Sequence, residues 1–165
     1  MRPAAWLALC VLSACSASDD AYAPVSNPGF ESKQCDEGSL CDWTVEGQIS
    51  SVPTWHEEDH GTELLDQNTS IAQLIAPFDG GPCVRFKLIA DVAASANVII
   101  TLDFEADGNV EYTDVIPAAH WTLLTYQHPV PAMASSLRIR IEKQSLGRAV
   151  LARLDLTAGS CDAEP

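Results

Sequence analysis

The sequence predicts an all-β protein built as an antiparallel β-sandwich. Apolar and polar residues alternate with a period of two in several segments, the 10 Pro and 9 Gly fall mostly between those segments, and no helical period persists beyond the first twenty residues. Alternation of this kind is typical of strands with one buried face. Because the other face of each strand is polar, two sheets packed face to face fit the pattern best.

The alternation assigns the strands in order along the chain. An Asp107-Gly108 turn follows the strand that ends at Glu105, and Asp-Gly is a strong hairpin signal. The predicted strands cover residues 42–48, 71–75, 84–88, 98–105, 121–126, 137–142 and 150–157.

The first residues have the layout of an export signal. Arg2 precedes an apolar stretch over residues 4–12, and small residues follow it. The stretch Leu-Ser-Ala-Cys at 12–15 resembles a bacterial lipobox, which implies a signal peptide over 1–14 and lipidation of Cys15. The alternative is an ordinary signal peptide with a Cys near its exit. Residues 15–26 are then a tether, 27–161 the domain and 162–165 a tail, and the protein is expected in the bacterial cell envelope, lipid-anchored at the outer membrane or cell surface.

The 6 Cys residues fit this interpretation. Cys10 is removed with the signal peptide and Cys15 is lipidated, so four Cys residues remain. An even number of Cys residues in an exported protein indicates disulfides. Three pairings are open. The short loop around Gly38 favours Cys35–Cys41, which leaves Cys83–Cys161. A zinc site is the rival, but the sequence contains no C-x-x-C pair.

Charge and hydropathy exclude several functional classes. The formal net charge is −14, which opposes binding to nucleic acid. No apolar run reaches the ~18–20 residues of a membrane span, so contact with the membrane is expected through the lipid anchor only. The chain is 47% hydrophobic and 19% charged, too apolar for a disordered protein. A monomer is expected.

Short motifs in a fixed order carry a family resemblance over about residues 27–158. They are Asn-Pro-Gly-Phe-Glu at 27–31, Asp42-Trp43, His60-Gly61, the strand Ser70–Ile75, His-Trp-Thr at 120–122 and Leu-Asp-Leu at 154–156. This order resembles the galactose-binding-like jelly rolls, and especially the carbohydrate-binding modules of bacterial glycanases. The resemblance implies a jelly-roll domain that binds a polysaccharide.

The resemblance also implies a structural calcium ion. In modules of that kind, the acid of the opening motif and an acid near the end of the last strand often bind Ca²⁺, and these positions match Glu31 and Asp155. Hard carboxylate oxygens are the ligands Ca²⁺ prefers. Asp59, before Gly61, is the candidate third ligand. The alternative is that all three are ordinary surface acids.

Two aromatic residues are the candidate ligand-binding side chains. Trp43 and Trp121 match positions that are usually core in the resembling family, so they are expected inside. Trp55, in a polar stretch, and Tyr112, on the strand after the Asp-Gly turn, are then available to stack on a sugar ring. The alternative for Trp55 is packing beneath a loop.

One motif suggests catalysis and is rejected. Residues 56–60 (His-Glu-Glu-Asp-His) match H-E-x-x-H, which binds zinc when it lies on a helix. Here the intervening positions are charged, Gly61 follows directly, and the flanking segments are predicted strands. No catalytic residue is expected. The predicted function is non-catalytic carbohydrate binding in the envelope; the alternative is a structural or protein-interaction module whose partner is an envelope protein.

Overall fold

The computed structural model describes residues 25–30, 40–55, 59–79 and 81–161. Every regular element in these ranges is a β-strand, which agrees with the predicted all-β class. Cys15, Glu31 and Cys35 lie outside the described residues, as do the predicted signal peptide and the C-terminal tail. The described part contains no helix of the length and hydrophobicity that crossing a membrane requires.

The strands are β1 (Thr44–Glu46), β2 (Ile49–Pro53), β3 (His60–Leu64), β4 (Thr69–Ile75), β5 (Cys83–Val92), β6 (Val98–Phe104), β7 (Tyr112–Ile116), β8 (Ala119–Pro129), β9 (Leu137–Lys143) and β10 (Ala149–Gly159).

The strands form two five-stranded sheets. The first sheet has the order β1-β4-β9-β6-β7, and the second has the order β2-β3-β10-β5-β8. Every pairing is antiparallel. The predicted antiparallel β-sandwich is therefore confirmed.

The core lies between the two sheets and follows the alternation in the sequence. Leu137, Ile139 and Ile141 of β9 are fully buried, while the intervening residues face outward. On the second sheet, Leu154 and Leu156 of β10 are buried in the same way. Burying each such side chain contributes about 1.5–3 kcal/mol relative to exposure. Trp43 closes one end of the core against Phe30, as its predicted core position requires.

The strand predicted over 42–48 is shorter in the structure, where β1 covers Thr44–Glu46 and the next strand, β2, begins at Ile49. β1 belongs to the first sheet and β2 to the second, and Gly47 lies between them with a φ of +93°. A Cβ at Gly47 would lie 2.6 Å from Thr69 Oγ1. Only glycine adopts this conformation easily and tolerates so close a neighbour, so Gly47 is where the chain crosses between layers.

A disulfide joins Cys83, at the start of β5, to Cys161, just after β10. This is the pairing expected from the sequence. Cys41 is also disulfide-bonded, whereas its expected partner Cys35 lies outside the described residues.

Candidate functional site

The candidate site lies where β10 changes its neighbour. β10 pairs with β3 through Val150 and Leu151. Its register with β5 then shifts between Leu151 and Arg153, so Ala152 is an extra residue in a β-bulge. Beyond the bulge, the backbone N–H of Leu154 donates to the Pro28 carbonyl at 2.8 Å. Bulges of this kind bend a strand and re-aim its side chains, and they are common beside functional sites.

Gly61 lets β3 lie tightly against this bulge. A Cβ at Gly61 would lie 2.6 Å from the Leu151 carbonyl oxygen and 3.3 Å from Ala152 Cα. Real Cβ atoms do not come so close to backbone, so the sequence needs glycine here because of a close approach rather than an unusual φ. The bulge and the start of β3 therefore depend on each other.

Thr54, Trp55 and Asp59, in the connection after β2, form one wall of the site. The Thr54 N–H and hydroxyl both donate to the Asp59 carbonyl, at 3.0 Å and 3.2 Å. These two bonds close the loop at its base. Trp55 directly follows Thr54, and its side chain is 45% exposed.

A cavity of about 320 Å³ lies on the outer surface of the second sheet, between this loop and the opening segment of the domain. Ile89 and Arg153 contribute to its floor because they alternate with the inward-facing Leu88 and Leu154. The lining residues are Gly29, Thr54, Trp55, Asp59, His60, Ile89, Ala152 and Arg153. The cavity thus combines one indole with hydroxyl, carboxylate and guanidinium groups.

Trp121 lies beside Trp55 rather than in the core, contrary to the sequence prediction. The two ring centroids are 5.1 Å apart and the rings are inclined by 58°. Trp121 lies in a second irregularity, where the pairing of β5 with β8 shifts between Ala90 and Val92, and its φ is +42°. Because alternation fails at such a shift, the sequence pattern does not predict which way this ring points.

The charged groups around the cavity are largely paired with one another. Arg153 Nε donates to both carboxylate oxygens of Asp155, at 3.0 Å and 2.8 Å. Further along the same outer surface, Arg148 forms ion pairs with Asp91 and Glu63. Asp59 is exposed at the cavity wall. The guanidinium nearest the cavity is therefore already neutralised by a carboxylate.

The predicted calcium ligands are only partly described. Asp155 faces outward and accepts from Arg153, whereas Asp59 lines the cavity. Glu31 lies outside the described residues. Within the ranges that the structure describes, no group of three or more His, Cys, Asp or Glu side chains is placed to hold a metal ion. A calcium ion on Asp155 has to compete with Arg153, and the calcium site stays a prediction.

Tyr112 is not brought to the cavity. It lies on β7 of the first sheet, half-buried, and its ring stacks on His128 with the centroids 4.3 Å apart. His128 Nε2 is 2.6 Å from a carboxylate oxygen of Asp114. Tyr112 shares the inward face of β7 with the buried Ile116, so this ring packs at the edge of the core.

His60 belongs to the rejected zinc motif and to the His60-Gly61 motif of the family resemblance, and neither predicts that it lines a ligand cavity. It begins β3 and lines the cavity, and so it does not lie on a helix; residues 56–58 lie outside the described part. Its Nδ1 atom is buried and has no hydrogen-bond partner among the described residues. Ile89, Ala152 and Arg153 also line the cavity. Only long-range pairing brings these positions together, so no local signal marks them.

No family model matches the chain, and no curated protein matches it in sequence. Several solved structures share its fold. TmCBM61 in complex with β-1,4-galactotriose is 16% identical, with a TM-score of 0.58 over 80% of this chain and 95% of that one. A CBM22-1–GH10 portion of xylanase 10B from Clostridium thermocellum, complexed with xylohexaose, is 12% identical, with a TM-score of 0.54 over 75% of this chain and 27% of that one. The enzymatically active domain of tailspike protein 4 from bacteriophage CBA120 is 15% identical, with a TM-score of 0.57 over 82% of this chain, which spans only 21% of it. The chain therefore shares the β-sandwich fold of carbohydrate-binding modules.

Proposed function

We propose that this protein is a non-catalytic carbohydrate-binding lipoprotein of the bacterial cell envelope, and that the cavity beside Trp55 is its glycan site. The observation that carries the proposal is an exposed indole at the wall of a cavity that also presents hydroxyl and charged groups. The shared fold with carbohydrate-binding modules supports it. Fold alone does not assign function, so the site carries most of the weight.

The chemistry of the cavity suits a sugar ring. A pyranose has an apolar C–H face that stacks on an indole and a rim of hydroxyls that need polar partners. Trp55 supplies the indole, while Thr54, Asp59 and Arg153 supply polar groups around it. Trp121 lies against Trp55 and restricts its orientation, so less conformational entropy is lost on binding.

The envelope location is supported by the sequence alone. The apolar leader and the Leu-Ser-Ala-Cys stretch at 12–15 support export and lipidation of Cys15. A lipid-anchored glycan-binding domain holds polysaccharide at the cell surface without cleaving it. Labelling with a fatty-acid analogue, lost in Cys15→Ala, tests the anchor separately from the binding site.

Trp55→Ala tests the glycan site. We expect the oxidised full chain to bind at least one polysaccharide in a pull-down and on a glycan array. A central Trp contributes about 2 kcal/mol or more to many interfaces, so the variant should bind about tenfold or more weakly. Leu146→Ala is the matched control, because Leu146 is 72% exposed and lies outside the cavity.

Two results of the binding experiment would contradict the proposal. If the folded protein binds no glycan, carbohydrate binding is wrong, and the envelope interaction module becomes the working hypothesis. If Trp55→Ala and Leu146→Ala bind equally well, the glycan site lies elsewhere on the molecule.

A further inference from the structure

The walls of the cavity limit what it can hold. On one side, the Trp55 loop is closed by the two hydrogen bonds from Thr54 to the Asp59 carbonyl. On the other side, Gly29 belongs to the opening segment, which is fixed by the bond from Leu154 to the Pro28 carbonyl and by the Thr62 hydroxyl donating to the Phe30 carbonyl. Each wall is held by one backbone N–H and one threonine hydroxyl, and all four bonds are accepted by backbone carbonyls, so rotating a single side chain releases neither wall.

The volume points to a short ligand. Small-molecule pockets usually measure about 300–1,000 Å³, so this cavity of about 320 Å³ lies at the lower end. Trp55 is also the only indole, phenol or phenyl ring in its described lining. A long glycan chain gains affinity from ring after ring along a groove, whereas one indole stacks on one sugar unit.

The charge of the cavity wall points to an uncharged ligand. Asp59 is an exposed acid at the cavity wall. Arg153, the cation in the lining, already holds both oxygens of Asp155. The whole chain has a formal net charge of −14. A uronic-acid sugar would meet repulsion from Asp59, and the guanidinium in the described lining is already paired with Asp155.

We infer that the cavity, whose glycan-binding role rests on the function proposed above, takes about one or two sugar units of an uncharged glycan and discriminates against uronic acids. Sugar units beyond these extend into solvent and add little affinity. The site is then suited to the end of a chain or to a short side chain.

Isothermal titration with oligosaccharide ladders tests the size limit on the full chain. The probes are β-1,4-galacto-, xylo- and cello-oligosaccharides of about one to six units. We expect at least one series to bind, with affinity rising up to about two units and changing less than about twofold thereafter. A rise of about tenfold or more between two and six units would overturn the size limit while leaving glycan binding intact.

A variant provides a second readout. Leu123 pairs with Ile89 across β5 and β8, is 57% exposed, and lies just outside the cavity. A chain that continues across the sheet would cover it. We expect Leu123→Ala to bind the longest oligosaccharide as tightly as the parent does, whereas a loss of about tenfold would contradict a confined ligand.

A separate comparison of neutral with acidic disaccharides tests the charge inference. Cellobiose, xylobiose and β-1,4-galactobiose are compared with digalacturonic acid and with cellobiose oxidised at C6 to the uronic acid, at low and at high salt. We expect the acidic sugars to bind about tenfold or more weakly, with a smaller gap at high salt because salt screens repulsion. Equal binding at low salt overturns the charge inference. If none of these sugars binds and the glycan array is also negative, the proposed function fails as well, so the two failures are distinguishable.

Discussion

At the scale of single residues, Lys143 is a buried cation whose ammonium group is fully hydrogen-bonded. It occupies an inward position of β9 and is only 1% exposed. Its Nζ donates to three backbone carbonyls, those of Leu64, Leu65 and Gly147, at 2.6, 2.6 and 2.8 Å. An ammonium has three donors, so every one is used. The cation thereby ties the end of β3 to the loop before β10.

Lys143→Met should therefore destabilise the fold. The variant keeps the length of the side chain but leaves three carbonyls without their donor, at a cost of about 3 kcal/mol or more. Urea unfolding measures the change. Lys87→Met is the control, since Lys87 is exposed on β5. A loss below about 1 kcal/mol would contradict the role assigned to these three bonds.

Tyr126 should make stability fall at alkaline pH. Burial raises the pKa of Tyr126 above its ordinary value of 10.0, and the negative charge of Asp114 raises that pKa further. As the pH rises past about 10, the unfolded chain loses this proton before the folded chain does, so the free energy of unfolding decreases. Ionisation also removes the hydroxyl that donates to the Val115 carbonyl at 3.1 Å.

Tyr126→Phe isolates this contribution. Unfolding free energies of both proteins from about pH 8 to about pH 11 should show a shallower alkaline decrease in the variant, because Phe has no proton to lose. Parallel curves would show that Tyr126 titrates alike in the folded and unfolded chains.

At the scale of elements, the site depends on the match between β3 and the bulge of β10. Gly61→Ala places a Cβ against the Leu151 carbonyl, and backbone fixed in a sheet moves only at a cost. We expect a loss of about 1–3 kcal/mol in stability and a measurable loss of glycan affinity, because Ala152 and Thr54 move with the bulge.

Gly108→Ala is the matched control for that variant. A Cβ at Gly108 meets nothing within 4 Å, although its φ of +94° strains any other residue. The Gly108→Ala variant should lose some stability but no glycan affinity. Its comparison with Gly61→Ala therefore separates a disturbance of the site from general destabilisation. Equal effects of both variants on glycan affinity would contradict a specific role for Gly61.

The same elements show what sequence patterns can and cannot predict. Alternation predicted β9 and β10 because period two is a local property of a strand. It did not predict the crossing at Gly47, the bulge at Ala152 or the position of Trp121, because each depends on pairing with a distant strand. Trp55 was identified from its polar surroundings, but its cavity was not, since the floor comes from β3, β5 and β10.

The Cys83–Cys161 bond should stabilise the pairing of β5 with β10. The two residues are separated by 78 positions, so the bond restricts a long loop of the unfolded chain. Replacing both Cys by Ala should cost about 2–5 kcal/mol in urea unfolding. A double variant within about 1 kcal/mol of the parent would show that the strands need no covalent link.

At the scale of the whole molecule, the net charge of −14 sets the conditions for testing calcium. Any divalent cation screens repulsion in so acidic a protein and raises its Tm somewhat. A specific site must therefore be distinguished from screening. The Pro28 carbonyl, three residues before Glu31 in the sequence, accepts a hydrogen bond from Leu154, the neighbour of Asp155. This bond is the structural reason to keep both acids as candidate ligands.

We predict that Ca²⁺ raises the Tm more than an equal concentration of Mg²⁺ does, and that a chelator reverses the difference. Ca²⁺ accepts irregular carboxylate cages, whereas Mg²⁺ dehydrates reluctantly and demands octahedral geometry. Asp155→Asn and Glu31→Gln should each remove the excess effect of Ca²⁺ and keep the part due to screening, which Mg²⁺ also produces. Asp59→Asn tests whether Asp59 is a third calcium ligand. If it is, this variant also loses the excess rise in Tm with Ca²⁺; if Asp59 only lines the cavity, the variant keeps it. Equal shifts with both cations would show that the acids at 31 and 155 act only through the net charge.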